Sequence, residues 1–278
     1  MRLVLVSLLF LFASSFAARA QLIGAKKEGT VSMGHYHFFV TDVDAHLKLW
    51  AELLGAEPVK LAEYNVLRLP NLIIFITENR PAGGTKGTIL NHIGLQVREL
   101  PPLIAKLKAA GADVATKREV PAAEDDVFYF EDTDSYLAFV MGPDDTKVEL
   151  VENRALDAPI ANHHIHFYTP EVDEMRDWYV RLFGATPGKR GRWEAADLPG
   201  VNLTFTATKE PVVGIQGRIL NHIGFEVQDL ESFCKKLEDM GVKFDRPYRE
   251  IPELGIGLAF LTDPWGTYIE LTEGLDEL

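Results

Sequence analysis

Four stretches of the chain share one pattern of apolar and polar positions. Each opens on a His, alternates its side chains as a strand does, and reaches an acidic residue seven positions on: His35 to Asp42, His92 to Glu99, His164 to Glu171 and His222 to Asp229. The acidic residue or its neighbours then open an amphipathic helix. The first and third helices are expected to stop before Gly55 and Gly184, the second and fourth before Gly111 and Gly241. Glycine closes helices in this way because it adopts the left-handed conformation at little cost. Short apolar runs follow: Val66–Leu69, Leu72–Ile76, Val127–Phe130, Leu137–Met141 and Val148–Val151, then Leu203–Phe205, Leu258–Leu261 and Tyr268–Leu271. The predicted unit is β-α-β-β-β, present four times.

The units also repeat in sequence. Gly87 to Gly94 (GTILNHIG) recurs as Gly217 to Gly224 (GRILNHIG), seven identities in eight at an offset of 130. His35 to Phe39 (HYHFF) is answered by His164 to Tyr168 (HIHFY), and Leu49 to Pro58 by Trp178 to Pro187, at an offset of 129. This is a tandem duplication, with each half itself double. The polar, Pro-containing segment Glu152 to Asn162 reads as the joint. The expected division is an N-terminal domain over 31–152, a linker over 153–162 and a C-terminal domain over 163–274. Within each domain two adjacent modules are expected to form one curved, mostly antiparallel sheet with helices outside, an α+β arrangement.

Residues 1–20 stand apart. Arg2 precedes the apolar run Leu3 to Phe12, and Ala18-Arg19-Ala20 has the small-residue spacing of a cleavage site, so the stretch reads as a secretory signal with Gln21 as mature N-terminus. An uncleaved anchor is the alternative. The expectation is a secreted or periplasmic protein with no membrane association after cleavage. The formal charge of −13 becomes −15 without Arg2 and Arg19, which disfavours nucleic-acid and anionic-lipid partners. The lone Cys234 sits in a helical pattern and is expected to be a small core residue, with no thiol chemistry. Nothing in the sequence sets an oligomeric state.

The strand-opening His residues, the Leu-Leu-Gly and Leu-Phe-Gly helix ends and the segment Asp263 to Glu270 (DPWGTYIE) resemble the vicinal oxygen chelate superfamily over nearly all of residues 31–274. That superfamily includes glyoxalase I, extradiol dioxygenases and bleomycin-resistance proteins. The resemblance implies paired modules curled round a cleft, with metal ligands on the first and last strands. It implies His35, His92 and Glu149 in the first half, and His164, His222 and Glu270 in the second. The second site is favoured, because its last strand keeps the fuller motif. Two neutral imidazoles and a carboxylate suit a divalent ion with open positions, with Fe, Mn, Zn and Ni all admissible. Six of the eight His fall at three positions repeated between the halves, where core packing alone would accept Val, Leu or Phe. His37 and His166 lie two residues beyond the first ligands and so share their face. They read as general bases, supporting partners, alternative ligands, or buried His bonded to a neighbouring strand. Tyr268 has the same relation to Glu270 and reads as a proton donor or a core aromatic; Lys147 is its counterpart.

Departures from family patterns sort the possibilities. Leu72 to Ile76 and Leu203 to Thr206 carry no carboxylate, so the four-ligand glyoxalase I site is not expected. Phe260 stands where an extradiol dioxygenase carries Tyr, and the accompanying His is missing. The function expected from the resemblance is that of a metal-dependent enzyme of lyase or isomerase type. It would act on a small oxygen-rich molecule by chelation and proton transfer. An extradiol-type Fe(II) dioxygenase and a non-catalytic small-molecule-binding protein are the alternatives.

Overall fold

A computed structural model describes residues 31–61 and 64–275; the expected signal, residues 1–20, lies outside the described residues. The first module comprises β1 (Val31–Val40), a helix α1 (Val43–Leu47) continued by a π turn over Lys48–Leu53, β2 (Glu57–Leu61), β3 (Tyr64–Leu69) and β4 (Leu72–Glu78). The second comprises β5 (Leu90–Val97), α2 (Leu100–Ala109), β6 (Asp113–Val114), α3 (Thr116–Glu119), β7 (Phe128–Phe130), β8 (Ser135–Gly142) and β9 (Thr146–Glu152). The third runs through β10 (Ile160–Thr169), α4 (Val172–Phe183), β11 (Thr186–Arg190), β12 (Trp193–Leu198) and β13 (Val201–Ala207). The fourth runs through β14 (Leu220–Val227), α5 (Leu230–Asp239), β15 (Phe244–Ile251), β16 (Ile256–Thr262) and β17 (Tyr268–Glu273).

The helix ends follow the glycines: Gly55, Gly111, Gly184 and Gly241 all take positive φ. Helix α5 buries Leu230, Phe233, Cys234 and Leu237, the i, i+3, i+4, i+7 stripe of a helix lying on a sheet. Burial lifts the Cys234 thiol to about 12, so it is an inert core group.

The architecture is α+β, four modules paired into two mixed, mostly antiparallel sheets, but the partners are not sequence neighbours. One sheet runs β15-β16-β17-β14-β1-β4-β3-β2 and joins the first module to the fourth. The other runs β11-β12-β13-β10-β5-β9-β8-β6 and joins the second to the third. The expected sheets over 31–152 and 163–274 are therefore replaced by an outer sheet (modules one and four) and an inner sheet (modules two and three). The expected linker does not separate two sheets. Residues 153–159 connect β9 to β10 within the inner sheet, and Ile160 to Asn162 already belong to β10. The chain changes sheets at the two segments that carry the GTILNHIG-type repeats. These bind each other through Ile89 N to Val213 O (2.8 Å), Ala82 N to Gly217 O (2.9 Å) and Ile219 N to Gly83 O (3.0 Å). A continuous core, including Trp50, Tyr36, Phe38, Phe167, Tyr179 and Phe225, lies behind both sheets.

Candidate metal centres in two unlike clefts

The register of the central strands builds each centre. In the outer sheet β1 runs antiparallel to β14, placing His37 opposite His222 and His35 opposite Gly224. Strand β17 runs parallel on the far side of β14, with Glu270 beside Gly224. Side chains on one row of a sheet share a face, so His35 reaches over the glycine to Glu270, Nε2 to Oε2 3.0 Å. His222 Nε2 lies 2.8 Å from the same oxygen. The inner sheet repeats the plan: His166 faces His92, His164 faces Gly94, and Glu149 lies beside Gly94. There His92 Nε2 is 2.9 Å and His164 Nε2 3.3 Å from Glu149 Oε2.

The six residues thus gather into two centres, but in a different grouping from the one read in the sequence. His35 joins His222 and Glu270, while His164 joins His92 and Glu149. The exchange follows directly from the pairing of β1 with β14 and β5 with β10. His166 stands within the inner cluster, whereas His37 sits beside the outer one, its ring centroid 4.7 Å from that of His222. His37 and His166 are each hydrogen-bonded through Nε2 to a threonine of the neighbouring strand, Thr77 and Thr206, both at 2.8 Å. His46 is structural: it bonds Asp144 and accepts from Trp50 Nε1.

The donor sets fit a divalent ion. Within each cluster every ligand atom is within 4.8 Å of the others. His222 Nε2 and His164 Nε2 are buried and, despite their closeness to the carboxylates, lack hydrogen-bond alignment to any partner. Orphaned imidazole nitrogens crowded round one carboxylate oxygen are costly as a polar network and natural as converging ligands. The protonation states suit the same end. Burial lowers His92 and His164 to about 4, and burial with the nearby His222 lowers His37 to about 3. Burial alone would raise Glu270, but the close His222 and His35 outweigh it and hold its carboxyl below the usual range. Neutral imidazoles and an ionised carboxylate are the forms that bind a cation.

The two clefts differ in their walls. The outer centre opens on a cavity of about 340 Å³ lined by Leu61, Tyr64, Phe75, Leu258, Phe260 and Tyr268 among others. Arg246 and Arg249 also face it, and among the described residues neither is paired with a carboxylate. Phe75 stands 5.3 Å from the His35 ring, on the strand where a fourth carboxylate ligand would project. Burial raises the Tyr268 hydroxyl, which keeps it protonated. In the inner cleft Arg190 Nη2 bonds Glu149 Oε1 at 3.0 Å. Lys147, Tyr268's counterpart, is buried against Phe139, Asn91 and Glu119. A polar cavity of about 530 Å³ lies beyond Arg190, lined by Asn71, Gln96, Asn162, Lys189 and Asn202 and by none of the four cluster residues. Sequence reading missed Arg190, Arg246 and Arg249. The 129-residue offset does place Arg190 opposite Leu61, so the first was within reach of an alignment of the halves.

Paired modules round a cleft bearing inward His and Glu side chains make a glyoxalase-like fold. A model of the Glyoxalase/Bleomycin resistance protein/Dioxygenase superfamily matches residues 161–271, the third and fourth modules. The chain is similar to Glyoxylase I 4 of Arabidopsis thaliana, 27% identical over 119 residues, which span 39% of this chain and 68% of that protein. The fold is that of glyoxalase I from Zea mays, with TM-score 0.69 and 15% identity over 89% of this chain and 94% of the maize one. A variant of the maize enzyme gives 0.70 and 16% over 90% and 95%.

Proposed function

We propose that the outer cleft is the active site of a metal-dependent enzyme of the lyase or isomerase type, acting on a small organic anion that carries adjacent oxygen atoms on an apolar body. The observation that carries this reading is the convergence of His35, His222 and Glu270 at the floor of a cavity with apolar walls and two guanidiniums that meet no carboxylate among the described residues. Similarity to glyoxalase I supports the class of chemistry. The bound ion would act as a Lewis acid on the substrate oxygens. Arg246 and Arg249 bind the anionic end by charge-assisted hydrogen bonds. Phe75, Leu258 and Phe260 exclude water around the apolar part. His37, held neutral and oriented by Thr77, takes a proton, and Tyr268, held protonated, donates one to a developing oxyanion.

The three-ligand set, with Phe75 rather than a carboxylate beside His35, also favours a second reading, a ring-opening Fe(II) dioxygenase. Elemental analysis of chelator-free protein, followed by assays with 2-oxoaldehydes, vicinal diketones and catechols, separates the two. Turnover of a dicarbonyl with Zn, Mn or Ni supports the first reading; oxygen uptake with iron and a catechol replaces it with the second. Absence of any metal in wild-type protein, even after reloading, defeats both. Export is part of the proposal, on the strength of residues 1–20. Sequencing the N-terminus of the mature protein checks it, with Gln21 as the expected first residue.

A further inference from the structure

The two centres share a backbone plan but not a charge. Counting ligand groups favours the inner centre, where His166 joins His92, His164 and Glu149; the outer has three groups. Charge in direct contact with the carboxylate favours the outer one, although Arg246 and Arg249 line its cavity. The repeat sets Leu61, the last residue of β2, against Arg190, the last of β11, and Tyr268 against Lys147. Both differences put a cationic side chain in the inner cleft, and of the two Arg190 is the one paired with the centre's own carboxylate, Lys147 being paired with Glu119. The Arg190 side chain is 9% exposed and its Nη2 is 3.0 Å from Glu149 Oε1, so the carboxylate of the inner centre is already matched by a fixed positive charge. The Lys147 side chain is 5% exposed; its Nζ is paired with Glu119 at 2.7 Å and also bonds Asn91, whose same oxygen meets His92 Nδ1 at 2.9 Å. Glu270, by contrast, meets only His35 and His222 among the described residues.

A like charge a few ångströms from a divalent ion, in a site shielded from water, repels it strongly. On the metal reading of the outer cleft given above, we infer that the ion loads into the outer centre alone, and that Arg190 keeps the inner centre metal-free by standing in for the ion's charge beside Glu149. Position 61/190 is then the residue that decides which of two nearly identical ligand sets is a metal site.

Titration of metal-stripped protein with Mn(II), counting free ion by electron paramagnetic resonance, tests this without any assay of turnover. Wild type is expected to bind one equivalent, Glu149→Gln one, and Glu270→Gln none. The double variant Arg190→Leu/Lys147→Tyr, which gives the inner cleft the outer cleft's residues, is expected to bind two. Leu61→Arg is expected to weaken the outer site at least about 100-fold. A gain of a second equivalent cannot be produced by misfolding, and the comparison of Glu149→Gln with Glu270→Gln stands even if a charge variant does not fold. Two equivalents of similar affinity in wild type, or loss of an equivalent in Glu149→Gln, overturns the inference and leaves the metal reading of the outer cleft intact. So does a folded double variant that still binds one. No binding by wild type overturns both.

Discussion

The imidazole of His35 lies directly over Gly224, a residue of another module 189 positions away. A Cβ built on Gly224 would fall inside that ring, and a Cβ on Gly94 would fall inside the ring of His164. The glycine of each His-Ile-Gly motif is therefore the floor on which the opposite module's ligand rests. Gly224→Ala must push His35 aside, at a cost of about 1–3 kcal/mol as for other overpacked sites. It should lower metal affinity of the outer centre by about tenfold or more, since a ligand displaced by even one ångström no longer meets the ion. Gly94→Ala is the matched control, with a similar loss in denaturation midpoint and no change in outer-site affinity. Equal metal affinity in Gly224→Ala and wild type would remove His35 from the ligand set.

Ligand and proton carrier should separate by their effects. Glu270→Gln takes away the one anionic candidate ligand of the outer centre among the described residues and is expected to abolish metal retention and turnover together. His37→Gln leaves His35, His222 and Glu270 in place, so metal content should stay at the wild-type value. Turnover should fall by roughly 10²–10⁴, the usual share of a general base. Elemental analysis beside steady-state kinetics reads both quantities; a His37→Gln enzyme of normal kcat assigns that His to packing against Phe39 and Thr77.

Much of this plan was legible in the sequence because it is local. The His-led strands, the helix faces and the four closing glycines each depend on residues within one turn or one strand, and the six candidate ligands recur at offsets of 129, 130 and 121. Which strand pairs with which did not follow. Leu90 to Gly94 and Leu220 to Gly224 are the same five residues, LNHIG, so β1 meets an equally suitable edge in β5 and in β14. Local pattern carries no preference between them; the crossovers over residues 79–89 and 208–219, bonded to each other, set the choice. The partner of Glu149 was hidden for a related reason. Arg190 comes from β11, with four strands between it and β9 in the inner sheet, and only curvature of the sheet brings the two side chains together.

Arg246 and Arg249 predict the sign of the substrate. Replacing either by Ala removes a charge-assisted hydrogen bond worth about 1.5–3 kcal/mol, so KM for an anionic substrate should rise about 10- to 100-fold. A neutral ester of the same substrate should lose little by the substitution. The ratio of kcat/KM for acid and ester in wild type and in Arg249→Ala checks this. An unchanged ratio would place both guanidiniums on solvent rather than on substrate.

Acid should unfold the metal-free protein well before it protonates ordinary surface carboxylates. His92 and His164 are depressed by burial from 6.5 to about 4, so between those values the unfolded chain binds protons that the folded chain does not. Stability then rises with pH across that window and falls as pH drops through it. Glu149 is also held below its usual range, burial being outweighed by His164, His92 and Arg190, and its contribution is lost as pH falls below about 4.5. Both act in the same direction. A single ring shifted this far costs about 3 kcal/mol by the acid end of the window; the cluster titrates as a unit, so the loss belongs to the set. Urea midpoints of metal-free protein should therefore be flat from about pH 8 to 7 and fall steeply from about 6 to 4. Replacing His92 by Phe, which has no proton to gain, should flatten that fall. A variant that keeps the full pH dependence would move its origin to other buried groups, with His163, lowered to about 3, the first to substitute.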